Sequence, residues 1–117
     1  MKLYHSAASP FVRKVLVVAH ELGVHERIET IPASAHPVNR DRALIAANPL
    51  GQVPTLVLDD GGVLYDSRVI CQYLNEVAGG AIVHDGAARY ATLREEALAD
   101  GVTDAALLTR YETAARP

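Results

Sequence analysis

Between Asn48 and Ile70 the sequence leaves the backbone few choices. Asn48-Pro49 ends whatever precedes it, because the residue before a proline is held out of the α region. Val53-Pro54 opens the apolar run Thr55-Leu56-Val57-Leu58, and a proline at the first residue of a strand removes no ladder hydrogen bond. Asp59-Asp60-Gly61-Gly62 separates that run from Val63-Leu64-Tyr65. These turn residues predict an antiparallel hairpin, since Gly and Asp supply the backbone conformations a tight reversal needs. Asp66-Ser67 then introduces a helix over Ser67 to Ala78, with Ser67 as its expected N-cap and Gly79-Gly80 as its end.

Upstream, Lys2 to His5 reads as a short strand. Pro10 to Leu22 carries Phe11, Val15, Leu16, Val18, Ala19 and Leu22 at helical spacing, with Gly23 as a stop. Arg27 to Ile31 predicts a second strand, so the chain opens as β-α-β with a right-handed crossover. The prolines and small residues of Pro32 to Val38 indicate a loop, and Arg40 to Ala47 a short helix. The sum is βαβ followed by α-ββα. That order gives an α/β, thioredoxin-like domain, a four-stranded mixed sheet with helices on both faces.

The character changes after residue 80. Ala87 to Ala115 is rich in Ala, Leu, Arg and Glu, which are strong helix formers, and carries no strand signal. The expected organisation is therefore a first domain over 1–79, a linker near 79–86, and the start of an all-helical domain over 87–117, with Gly101 as a possible interruption. Leu93, Leu98, Val102, Leu107 and Leu108 form a stripe that one helix cannot bury alone, so it calls for a partner.

Charge and composition narrow the function classes. Half the residues are apolar, enough for a core. A formal charge of −3 and a pI near 5.9 argue against nucleic-acid or anionic-membrane partners, which select basic surfaces. The chain starts directly on a strand, without a signal-peptide pattern or an apolar run of the roughly 20 residues that span a bilayer, so the expected location is cytoplasmic. Cys71, the one cysteine, can form no intrachain disulfide and lies in an apolar helical pattern, where a thiol packs as a small hydrophobe. The histidines show no metal-ligand spacing, so no metal site is expected.

Ser9-Pro10 is by itself a common helix start, since serine is a preferred N-cap and proline a preferred first-turn residue. Taken in order, however, Ser9-Pro10-Phe11-Val12-Arg13-Lys14, Gln52-Val53-Pro54 and Asp66-Ser67 resemble the glutathione S-transferase family. The resemblance is close over residues 1–80 and one of character only over 87–117. It implies that Ser9 is the catalytic residue, offering its hydroxyl to the thiolate of glutathione beside a helix N-terminus. Ser6, at the strand end and without a following proline, ranks below it. Dithiol exchange is excluded at this place, because Ser9-Pro10-Phe11-Val12 stands where thioredoxin-fold redox enzymes carry Cys-x-x-Cys.

The same resemblance implies that Gln52, Val53 and Pro54 form the segment in which a cis proline turns the Val53 N–H and C=O towards the cysteinyl backbone of glutathione. It also implies that Asp66 and Ser67 receive the γ-glutamyl end, the serine its carboxylate and the acid its ammonium. Many relatives carry glutamate where this chain has Asp66, a shorter arm. For the glycyl carboxylate, His36, Asn39, Arg40 and Arg42 are all in the right region. Arg13 and Arg68 could line a dimer cleft, and Arg89, Arg94, Glu95 and Glu96 read as a solvated helix face.

The implied activity is transfer of glutathione, a co-substrate, to a small apolar electrophile, with no further cofactor, by a homodimer. A non-catalytic glutathione-binding or stress-related adaptor, and a glutathione-dependent isomerase or dehalogenase, are the alternatives on the same fold. Transferases of this family continue through several more helices, so the chain is expected to be a truncated form.

Overall fold

The computed structural model describes residues 1–116. Its elements are β1 (Lys2–His5), α1 (Pro10–Glu21), β2 (Glu29–Pro32), α2 (Arg42–Ala47), β3 (Thr55–Val57), β4 (Val63–Leu64), α3 (Ser67–Val77) and α4 (Ala87–Ala115). The strands form one sheet in the order β2-β1-β3-β4. β1 pairs in parallel with β2, Leu3 opposite Thr30, and antiparallel with β3, Leu3 opposite Leu56. β3 and β4 are antiparallel, Leu56 opposite Leu64. This is the mixed, thioredoxin-like sheet expected from the order of elements.

Helices α1 and α3 pack on each other and close the main core. Leu3 and Leu56 from the sheet, Val12, Val15 and Ala19 from α1, and Ile70, Cys71 and Leu74 from α3 form one buried cluster. Each leucine or isoleucine so removed from water contributes about 1.5–3 kcal/mol. Leu44 of α2 is fully buried too, outside that cluster.

Several boundaries differ from expectation. A 3₁₀ turn, His25–Arg27, takes the place of the predicted start of the second strand, which begins at Glu29 and runs on through Pro32. The proline is tolerated because β2 is an edge strand, paired only with β1. The helix placed at Arg40 starts at Arg42, because the Asp41 carboxylate accepts from the Ala43 and Leu44 amides and so caps it. Gly101 does not interrupt α4, which runs unbroken past it.

The chain divides into two compact units, Met1–Ile82 and the part from Val83 onward. In the second, Tyr90, Leu98, Val102 and Leu108 are exposed, whereas Leu93 and Leu107 are half-buried. Among the described residues no helix is long and apolar enough to cross a membrane.

Candidate functional site

The sheet register decides which loops share an end of the molecule. β1 and β2 run in the same direction and β3 runs against them, so the C-terminal ends of β1 and β2 lie beside the N-terminal end of β3. β4 reverses β3, which brings its C-terminal end there as well. Ser9 follows β1, residues 33–41 follow β2, Gln52-Val53-Pro54 lead into β3, and Asp66-Ser67 follow β4. All six expected site residues therefore sit at one end of the sheet, on connections held by rigid elements.

Ser9 is the N-cap of α1, in extended conformation, with Pro10 in the first helical turn. Its hydroxyl oxygen accepts from the Val12 N–H at 3.2 Å. Its own N–H donates to the Ser6 carbonyl at 3.1 Å, and its carbonyl accepts from the Arg13 N–H. A serine hydroxyl can accept and donate at once, so capping occupies a lone pair and leaves the proton for a ligand. Ser6 supports this arrangement through its backbone.

The segment before β3 is built on two residues that sequence reasoning missed. Asn48 is 1% exposed and Thr55 fully buried. The Asn48 side chain donates to the Thr55 hydroxyl at 3.0 Å and, more weakly, to the Gln52 carbonyl at 3.4 Å, while its Oδ1 accepts from the Leu50 N–H at 3.0 Å. The Thr55 hydroxyl donates in turn to the Gln52 carbonyl at 2.8 Å. Buried polar groups must be paired, and here every bond pins the loop from 48 to 55. Asn48-Pro49 signals only a helix stop, and nothing local marks the asparagine as a strut.

The Val53–Pro54 peptide bond is cis. Gln52 is exposed, Val53 half-buried and Pro54 buried. Among the described residues, neither the N–H nor the C=O of Val53 has a hydrogen-bond partner. That pair can receive an extended peptide backbone.

At the third corner the expected cap is displaced by one residue. Asp66, not Ser67, is the N-cap of α3; its Oδ1 accepts from the Arg68 N–H at 3.0 Å. Aspartate caps as well as serine does, and it precedes it in the chain. Ser67 becomes the first helical residue and is buried. The other Asp66 oxygen pairs with the Arg68 guanidinium at 3.0 Å. Partial burial works against the Asp66 charge, but Arg68, by hydrogen bonds and charge, and Lys14 across on α1 outweigh it and hold the carboxyl below its ordinary range.

The candidates for a glycyl carboxylate separate clearly. His36 Nδ1 accepts from the Val38 and Asn39 amides, both at 3.1 Å, so it organises its own turn. The Arg40 guanidinium donates through one nitrogen to the Pro49 and Leu50 carbonyls, at 3.4 and 3.0 Å. Arg42 stands in the first turn of α2, exposed.

The glutathione S-transferase N-terminal domain model matches residues 8–77, the span that holds this whole arrangement. Over 97% of its length the chain is 38% identical to the uncharacterized GST-like protein YibF of Escherichia coli K12, of which it covers 55%. A glutathione transferase family member from Pseudomonas fluorescens Pf-5, solved with bound glutathione, is 49% identical with a TM-score of 0.94 over 99% of this chain and 58% of that one. A glutathione S-transferase from Methylobacillus flagellatus KT, solved with glutathione bound, is 43% identical with a TM-score of 0.80, over 99% of this chain and 56% of that one. The chain thus spans just over half the length of these relatives. With the family model matched across the site and the fold shared along nearly its entire length, this chain belongs to the glutathione S-transferase family.

Proposed function

We propose that the 1–79 domain binds glutathione at this end of the sheet and activates its thiol for attack on a small apolar electrophile. One observation carries the reading: the Ser9 hydroxyl caps α1 with its oxygen and keeps its proton, at the positive end of that helix. A free thiol has a pKa of about 8.5 and is mostly protonated at neutral pH, while the thiolate is the nucleophile. A hydroxyl donor and a helix N-terminus both favour the anion, and each unit of lowering corresponds to about 1.4 kcal/mol.

The thiol proton passes to solvent, and the sulfur lone pair forms the new bond to the electrophilic carbon. The electron pair released leaves with a leaving group or is protonated on the acceptor. Val53 would hold the cysteinyl backbone through its N–H and C=O. The start of α3, with Ser67 and the Asp66 carboxylate, would hold the γ-glutamyl carboxylate and ammonium. Bound glutathione in two related structures supports glutathione as the ligand of this domain. The helical part from residue 87 would open the domain that shapes the electrophile pocket. Cytoplasmic action and assembly as a homodimer belong to the same reading.

The test pairs calorimetric titration of glutathione with conjugation rates of Ser9→Ala across pH. The variant is expected to bind glutathione with little loss, to react far more slowly at neutral pH, and to recover as the pH approaches that of the free thiol. Removing the cap costs about 0.5–2 kcal/mol of stability, so Ser9→Gly, which costs a few tenths, is the control for folding. A Ser9→Gly rate equal to wild type removes Ser9 from the mechanism. Binding without turnover by the wild-type chain selects a non-catalytic role, and product analysis separates transfer from isomerisation or dehalogenation.

A further inference from the structure

The loop from Ala33 to Asp41 and the turn from Asn48 to Gln52 flank the 6-residue helix α2, and one side chain ties them together. Arg40 reaches back over the turn, and its Nη2 donates to the carbonyls of both Pro49 and Leu50, at 3.4 and 3.0 Å. The loop end of this strut is itself held. Arg40 forms a β-bridge with Ala35, and the next residue, Asp41, accepts from the Ser34 N–H at 3.3 Å.

The turn end is shaped to admit it. Gly51 has a φ of +63°, a region that side chains rarely adopt, and its N–H donates to the Asn48 carbonyl at 2.8 Å. A Cβ added at Gly51 would stand 2.5 Å from Arg40 Nη2. The missing side chain is therefore the space the guanidinium occupies. Arg40 and Gly51 are a matched pair, and two residues after Gly51 comes Val53 with its unpartnered N–H and C=O.

We infer that Arg40 is a positioning residue which, by bracing the 49–51 turn against the loop after β2, aims the Val53 backbone at its ligand. The inference rests on the proposed glutathione site. Arg40 acts through the backbone and contacts no ligand group itself, so it sets affinity for any thiol peptide that pairs with Val53, whether or not that peptide carries a glycyl carboxylate. Both carbonyls it braces lie on an exposed turn, where water can replace the guanidinium. Losing Arg40 therefore loosens the turn without unfolding the domain.

The full chain is titrated with glutathione and with γ-glutamylcysteine, which lacks the glycyl residue, and its backbone amide exchange is measured without ligand. Arg40→Ala is expected to weaken both thiols by the same factor, about five- to tenfold, and to speed exchange at Leu50 and Gly51, with an unchanged melting temperature. Arg40→Lys, which keeps a cationic donor, restores part of the affinity. Gly51→Ala, which displaces the guanidinium, reproduces the loss, and in the Arg40→Ala background it adds less than it does alone. A loss confined to glutathione would make Arg40 a direct carboxylate ligand and overturn the inference. So would unchanged affinity and exchange in Arg40→Ala. A wild-type chain that binds neither thiol instead removes the glutathione reading on which the inference stands.

Discussion

Asn48 and Thr55 are joined side chain to side chain at 3.0 Å, both buried, and between them they close the loop that carries Gln52-Val53-Pro54. The bond lies at the foot of β3, so the strand and the loop are one polar unit set into an apolar core. Such a unit is rigid only when all its members are paired, and this one is.

Each member should therefore matter more for stability than its single bond suggests. Asn48→Ala and Thr55→Val are each expected to cost about 1–3 kcal/mol, the penalty for stranding buried polar groups. The double variant should cost less than the sum, since the second substitution removes a group already unpaired. Urea denaturation midpoints of the three variants check this, and strictly additive losses would show that the two side chains act separately.

The start of α3 makes a second prediction, on affinity. Asp66→Ala with Ser67→Ala should weaken glutathione binding by several kcal/mol, because hydrogen bonds to charged groups contribute about 1.5–3 kcal/mol each. Calorimetry with circular dichroism as the folding control decides it. Retained affinity in a folded variant would mean that the pair serves only to start the helix.

Acid should destabilise the fold through three aspartates. The Leu44 and Ser34 amides lower Asp41, the N-terminal ammonium lowers Asp59 by hydrogen bond and charge, and Arg68 lowers Asp66 against the effect of its burial. A carboxyl whose folded value lies below its unfolded value of about 3.9 stabilises the fold above that pH. The contribution disappears as the pH falls through the folded value. Melting temperature should be level from neutral to about pH 5 and drop below about pH 4, less steeply in Asp41→Asn. An acid limb identical in that variant would show that Asp41 carries none of it.

The exposed apolar side chains of α4 predict self-association of the 117-residue chain. Tyr90, Leu98, Val102 and Leu108 lie in water, and soluble monomers seldom leave large contiguous apolar patches uncovered. Light scattering over a concentration series should show a dimer at micromolar concentration, and Leu98→Glu with Leu108→Glu should return the monomer. A stable monomer at high micromolar concentration would show that this face needs no cover.

What could be read from the residues was the order of elements, because periodicity and punctuation are local. Gly61-Gly62 announced the hairpin, Ser9-Pro10 the first helix and Gly79-Gly80 the end of α3. Boundaries failed where two local preferences competed. Asp66 and Ser67 are both good caps, and only the path of the chain chooses between them; at α2 the helix propensity of Arg40 competes with the capping preference of Asp41, and the aspartate before the apolar helix is the cap. Gly101 invites a break, but its cost of about 1 kcal/mol is carried by the helix formers on either side. Asn48, Thr55 and the Arg40 brace were invisible for another reason. Their partners are backbone groups or side chains brought near by the turn, and no period or motif records them.

Helices α1 and α3 both begin at the site end of the sheet, and neither has an acid in its first turn beyond the Asp66 cap. The partial positive charges of both helix N-termini therefore converge there, within a chain of formal net charge −3. Charges farther apart than the Debye length of about 8 Å are largely screened at physiological salt, so this local field, rather than the net charge, acts on an anion close to the loops. The end of the sheet that gathers the loops thus also gathers two helix N-termini, and an anion held there would be held more weakly as ionic strength rises.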